Sequence, residues 1–389
     1  MYTLIYVTIV FFIICYTIIK WKYGFWMRQP VYHIYNIPYY FTSDQIIDKS
    51  LPEKNKYVQL INIHTKFMGT LHEYEWHSFV VFLQKYFLRE KHNKYNPRLE
   101  NIVPYFKNSK SLCSFYYETI QYKNETDGSI VVNDQNIIGV MTSRPVFSII
   151  NNKSLPIYYV DYLCVSPKHR NTGIASSLIQ THHYNQRRLN SPIHVSLFKR
   201  DHDMTWIVPL TYYNTYLYSM DGYNVDVRLH ARYKILVATP SNISKINVFI
   251  STNRSKFDVC IYEGEETIVE QINTNNMLIY AIVNADINDI ISVYLFKNPK
   301  VTISEKNVVT CIGSVCGDIS DDVFYFGFVK ILQQIPIENK IIAIEDISDN
   351  INIISNEANP PSIYSTPTAY FLYNYICSPV NTRKCLIIL

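Results

Sequence analysis

The alternation of apolar and polar positions changes rhythm several times along this chain. Residues 2–19 form eighteen positions without a charge. Residues 41–106 are mixed and polar, and only near 76–87 do apolar side chains recur at helical spacing, which predicts a helix. Three apolar, β-branched runs follow at 129–132, 137–150 and 157–165 and predict strands, the first two joined by a turn at Asn133-Asp134-Gln135-Asn136. Ser166-Pro167 ends the third run. Residues 174–188 then predict a helix with Ala175, Leu178 and Ile179 on one face, and a strand at 194–201 closes a β-β-β-α-β series.

A second series occupies the C-terminal half. Residues 246–250, 277–283 and 290–296 predict strands, 321–334 a helix opened by an acidic turn, and 340–346 the strand after it. Two more apolar runs, 369–375 and 385–389, finish the chain. The second is apolar to its last residue, which predicts packing inside the fold. At 389 residues the chain exceeds the usual size of one core. The recurring series divides it into a leading segment over 1–22, a half over 23–220 and a half over 221–389.

As a helix, residues 2–19 would extend roughly 27 Å, nearly the thickness of a bilayer core. Lys20 and Lys22 follow at once, with Trp21, Tyr23 and Trp26 as interfacial aromatics. A secretory leader carries its charge before the apolar run and small residues after it, and neither stands here. The segment is expected to be an uncleaved membrane anchor, with the basic flank holding the rest of the chain in the cytosol. The competing expectation is a buried core helix.

Composition narrows the chemistry. Thirty-four tyrosines beside only ten glycines fit a genome biased toward A and T. A net charge of +4, scattered rather than striped, does not make a nucleic-acid footprint. Eight cysteines without a C-x-x-C pair offer neither zinc ribbon nor redox motif. His72 and His77 lie about 140° apart around a helix and cannot share a metal, so no metal site is expected. Cys164 sits in an apolar strand without a neighbouring base and is expected to be inert.

The densest chemistry lies at 159–179. There a strand ending Asp161-Tyr162-Leu163-Cys164-Val165 runs into Arg170-Asn171-Thr172-Gly173-Ile174-Ala175, and a helix begins behind it. Unpaired N–H groups at a helix start, approached closely past a glycine and joined by an arginine, suit a pyrophosphate. The Arg-x-x-Gly-x-Ala loop resembles the CoA-binding loop of the GNAT acyltransferase superfamily. Two further segments sharpen that likeness: Phe25-Trp26-Met27-Arg28-Gln29-Pro30-Val31 and Tyr370-Phe371-Leu372-Tyr373-Asn374-Tyr375. With the strand at 161–165, they resemble, in order, three motifs of the glycylpeptide N-myristoyltransferases. Weaker echoes stand at 288–294 and 345–350.

The resemblance implies an α+β fold of tandem, pseudo-symmetric GNAT-like halves around a mixed sheet, here with the N-terminal transmembrane helix. The first half would bind acyl-CoA, with myristoyl-CoA as donor substrate, and the second would contribute the peptide groove. It also implies roles. Backbone N–H groups of Tyr162 and Leu163 would form an oxyanion hole, and Leu389 would supply a terminal carboxylate as base. Phe25, Trp26, Tyr162, Leu163, Cys164, Val165, Arg170, Asn171, Thr172, Gly173, Ile174 and Ala175 would contact acyl-CoA. Tyr370, Tyr373 and Asn374 would meet the peptide. The expected partners are acyl-CoA, a protein N-terminus and, through residues 2–19, a membrane, with the protein a monomer. The chain departs from the family in lacking two cations of its loop, the Gly-Asp-Gly before the late strand, where Tyr364-Ser365-Thr366 stands, and the acidic loop, where Arg89-Glu90-Lys91-His92 stands. Besides N-myristoylation, two readings therefore stay open: a GNAT-type enzyme with another donor or acceptor, and an inactive acyl-CoA- or peptide-binding protein tethered to a membrane.

Overall fold

The computed structural model describes residues 6–11, 13, 14, 17, 24–89, 93–123, 130–202, 205–335 and 340–389. The expected anchor lies largely outside them. No helix among the described residues is long and apolar enough to cross a membrane. The expected loop at 89–92 also falls outside, apart from Arg89.

The first half contains strand β1 (Ile63–Phe67), helix α1 (Glu73–Tyr86), strands β2 (Leu112–Lys123), β3 (Ile130–Ile150) and β4 (Lys153–Val165), helix α2 (Ile174–Leu189), and strands β5 (Val195–Asp201) and β6 (Thr211–Ser219). The second half contains β7 (Tyr233–Val237), α3 (Ile243–Thr252), β8 (Val259–Tyr262), α4 (Glu265–Asn273), β9 (Met277–Asn284), β10 (Asp289–Lys297), β11 (Lys306–Cys316), α5 (Asp321–Gln334), β12 (Lys340–Glu345), β13 (Tyr364–Tyr373) and β14 (Cys385–Ile388). One mixed sheet runs through both in the order β14-β8-β3-β4-β5-β13-β6-β12-β11-β10-β9-β7, with β2 and β1 off β3.

Each half holds a parallel pair joined through a helix. β4 pairs β5 across α2, and β11 pairs β12 across α5. This is the tandem arrangement expected from the sequence, but the halves are interleaved. β13, late in the chain, inserts between β5 and β6, and β14 lies parallel to β8, which itself pairs β3. Helix α2 packs directly on β3 at Gly139, where an added Cβ would stand 2.8 Å from Leu178 Cδ1.

Two sequence expectations are corrected. Residues 133–136 are not a turn. They continue β3, paired with β2 through Glu118↔Asn136 and Thr119↔Gln135, because a long partner strand overrides local turn propensity. Residues 246–250 are not a strand but part of α3, where Ile243 and Ile246 bury one helical face. A five-residue apolar run has no period of its own that separates the two.

Candidate functional site

β4 and β5 are hydrogen-bonded from Ile157↔Val195 to Val160↔Phe198 and then part. Beyond that point β4 stays on β3 through Val165, while β5 stays on β13 through Asp201. Between them opens a slot faced by Asp161, Tyr162 and Leu163 on one side and Lys199, Arg200 and Asp201 on the other. The parting coincides with an irregularity in the β3–β4 register between Val140 and Thr142 and with a positive φ of 46° at Tyr162. A non-glycine residue holds that conformation only when its surroundings over-determine it. Here the Tyr162 ring is packed against Phe79, Phe87 and Phe106, and its hydroxyl bonds that of Tyr95 at 2.9 Å.

Below the slot the chain turns through residues 167–173 into α2. Asn171 and Gly173 both take left-handed backbone, with φ of 65° and 86°. The first turn of α2 carries no acidic residue and no side-chain cap, so its N–H groups face outward unspent. Lys168, His169 and Arg170 stand immediately before them. A bare helix start flanked by cations fits a pyrophosphate.

The slot leads into a cavity of about 590 Å³ that extends on both sides of β4. One arm runs toward α2, lined by Met141, Val160, Ile179, His182, His183 and Gln186. Its floor is more polar than the apolar patterning of the strands suggests. His182 bridges Ser114 and Ser143 at 2.8 and 2.7 Å, and Gln186 donates to Ser143 at 2.9 Å. Burial pushes both histidines down to about 3, with Arg187 and His182 adding to the effect at His183, so both rings are neutral. The other arm opens against Tyr95, Asn101, Tyr105, Asn276 and the turn at 297–301.

Charged groups lie beneath this second arm. Arg144, 1% exposed, pairs with Glu263 between the rings of Tyr105 and Tyr159. Lys199 bonds Glu345 at 2.7 Å, and the Tyr213 hydroxyl donates to the same carboxylate at 2.5 Å. Lys297 Nζ reaches the main-chain oxygen of Leu389 at 3.1 Å.

The residues expected from sequence fall into three groups. Trp26, Tyr162, Leu163 and Tyr373 line the cavity. Phe25 supports Trp26 edge-on at 5.2 Å, and Trp26 stacks over Phe198. Tyr373 donates to Gln29 at 2.6 Å, joining two motifs 344 residues apart. A second group, Arg170 to Ala175, forms the loop and helix start described above, with Val165 half-buried at its head and the Arg170 side chain turned back toward the Val165 oxygen at 3.4 Å.

The third group is spent elsewhere. Cys164 is buried away from the cavity, and burial pushes its thiol up to about 12, which removes thiolate chemistry. Tyr370 packs against Tyr213. Asn374 is consumed by main-chain groups of Asp48 and His194. The Tyr162 N–H is held by the Asp161 carboxylate at 2.9 Å. Leu389 is buried beneath Lys297 rather than on the cavity wall.

Sequence reasoning missed Asp161, Lys199, His183 and Lys297 as cavity residues, and the Arg144–Glu263 pair. Arg144 did leave a signal, a lone charge inside an apolar strand, which is rare without a buried partner.

Residues 62–182 match the model of the acetyltransferase (GNAT) family. No curated protein sequence matches the chain. Among solved structures it is similar to Saccharomyces cerevisiae N-myristoyltransferase with bound myristoyl-CoA, at 12% identity over 92% of this chain and 94% of that one, with a TM-score of 0.68. The same yeast enzyme with bound myristoyl-CoA and inhibitors superposes with a TM-score of 0.69, at 12% identity over 92% and 91% of the two chains. The matched GNAT region contains β1 to β4 and the first part of α2, and so carries the β4 side of the slot and the loop below it. Residues 62–182 thus match a GNAT domain, and the chain as a whole has the fold seen in N-myristoyltransferase.

Proposed function

We propose that this protein transfers an acyl group from acyl-CoA to an amine, and that the donor is myristoyl-CoA and the acceptor the N-terminal glycine of a protein. The observation that carries the reading is the slot where β4 leaves β5, set beside an uncapped, cation-flanked helix start and opening into a cavity on both sides of β4. Arg170 and the N–H groups around Gly173 and Ile174 would hold the CoA phosphates. The arm toward α2 would receive the acyl chain, with Trp26 and Tyr373 on its wall. The Leu163 N–H would face the thioester carbonyl, and the acceptor would enter past Tyr95 and Tyr105.

Two groups tune the reaction. The Asp161 carboxylate occupies the Tyr162 N–H and puts a negative charge beside the reacting centre, which favours an incoming ammonium over a neutral nucleophile. Where the chain ends at Leu389, its carboxylate adds to that field. The test is transfer of radiolabelled myristoyl from myristoyl-CoA to peptides beginning with glycine, alongside direct binding of acyl-CoA donors of graded length. Transfer to glycine peptides and not to N-acetylated controls is expected. Tight donor binding with no transfer to any amine would refute the catalytic reading and leave a binding protein.

A further inference from the structure

The motif at 25–31 leads into an apolar surface that lies outside the cavity. No charge stands between Arg28 and Asp44, and within that stretch Ile34, Tyr35, Ile37, Tyr40 and Phe41 are exposed, Ile37 at 67% and Phe41 at 87%. Trp206, also exposed, joins them from another part of the chain, its carbonyl accepting from the Ile34 N–H at 3.0 Å. The Tyr40 hydroxyl donates to the Ile34 carbonyl at 3.0 Å, and Tyr35 stacks on His33, which bridges to Ile207. Ile37 and Tyr40 stand three apart in a 3-10 turn over Ile37–Phe41, a spacing at which side chains eclipse and share an edge. Tyr32, Tyr39, Val208 and Ile376 pack together beneath, so the surface is built before anything covers it. Single exposed apolar residues are ordinary, but a contiguous group marks a contact.

We propose that this patch seats the folded chain on the surface of a phospholipid bilayer. The chain around it selects lipid over protein. Residues 2–19 carry no charge, and among those described Tyr6, Val7, Ile9, Phe11, Ile13 and Ile14 are helical and more than half exposed. That run therefore leaves the patch uncovered and presents a second apolar surface close by in sequence. Between the two stand Lys20, Lys22 and Arg28, while the first acidic residue of the whole chain is Asp44. Apolar segments separated by cations, with no carboxylate among them, suit anionic headgroups above acyl chains. Tyr35, Tyr40 and Trp206 add rings with an apolar body and a polar tip, the side chains favoured where hydrocarbon meets water.

The patch also backs onto the cavity. Ile207, next to Trp206, packs in one cluster with Val31 and Trp26, and Trp26 lines the cavity. Seating the patch would bring that wall to the layer in which long-chain acyl-CoA dissolves. This consequence rests on the acyl-transfer reading; the seating itself does not.

The experiment uses the full chain with vesicles of phosphatidylcholine and phosphatidylserine. Residues 2–19 would hold the chain on vesicles whatever the patch does, so the readout is local: quenching of tryptophan emission by lipids brominated along their acyl chains. The contribution of Trp206 is the difference between the parent and Trp206→Phe. It should be quenched in the parent, and that quenching should be lost when Ile37→Asp and Phe41→Asp are introduced together. Both replaced side chains are exposed, so the thermal unfolding midpoint should hold, and Phe41→Asp alone serves as the milder variant. Trp206 emission that brominated lipid does not reach, or equal quenching with and without the two aspartates, overturns the proposal. So does a dimer in vesicle-free solution that the same substitutions split into monomers, which would assign the patch to a second copy. Failure of acyl transfer would leave the result standing, because quenching needs no turnover.

Discussion

The two parallel strand pairs of this molecule share a topology and differ in what happens where pairing stops. β4 and β5 separate after Val160 and Phe198 and leave open space. β11 and β12 separate after Cys311 and Ile344, and there the space is filled. Asn350, fully buried, accepts from Ser314 Oγ at 2.6 Å and donates to the carbonyls of Cys311 and Glu345. Ser348 and Asp349 bond the backbone of Ser314 and Cys316. The helices behind them differ in the same sense. α2 starts bare, after Lys168, His169 and Arg170. α5 starts capped by Ser320 and carries Asp321 and Asp322 in its first turn, which repels a phosphate. Repeating the scaffold did not repeat the opening; the few residues after each parallel pairing decide whether the space between the strands stays open or is plugged.

The contrast can be broken from either side. The largest effect is expected from Asn350→Ala, which strands the Ser314 hydroxyl and two carbonyls in the core. It should cost about 2–3 kcal/mol in denaturant unfolding while acyl-CoA affinity stays as it was; lost affinity with unchanged stability would mean the plug is part of the site. Reversing the charge at the open half, Arg170→Glu, should weaken acyl-CoA binding about tenfold or more, with a salt dependence reduced from that of the parent. Asp321→Asn at the closed half serves as its control and should leave binding unmoved. Titration calorimetry of both variants decides whether only one helix start handles phosphate. The smallest effect belongs to Gly173→Ala. Its φ of 86° disfavours any Cβ, although no atom stands within 4 Å of one, so roughly 1–2 kcal/mol of backbone strain should appear as a severalfold weaker donor affinity.

Much of the open half was legible in the sequence. Gly173, Arg170, the strand before them and the helix behind are local features, and local chemistry fixes a turn and a helix start. The bounds of α5 were legible for the same reason, from its acidic first turn. What was not legible depends on which strands become neighbours. Lys297 meets Leu389 across 92 residues, and Arg144 meets Glu263 across 119, because β8 docks on β3 and β14 on β8. Asn374 matched a peptide-handling motif, yet its amide ties down Asp48 and His194. A motif fixes residue identity but not what the surrounding fold demands of the side chain. Residues 246–250 failed differently, since their apolar run was too short to show its period.

The interleaving of β13 bears on how the molecule comes into being. β5 is held on one side by β4 and on the other by Tyr364–Tyr373, with Thr368 opposite Asp201. The opening motif is tied to the same late strand through Val31↔Tyr373. A chain leaving the ribosome therefore displays the residues of its first half long before it can close them. β5 waits with an unpaired edge until some 160 further residues have emerged. Such long-range pairing is slow and exposes sheet edges to wrong partners, so assembly of the site is a late event and nascent chains of this protein are candidates for chaperone capture.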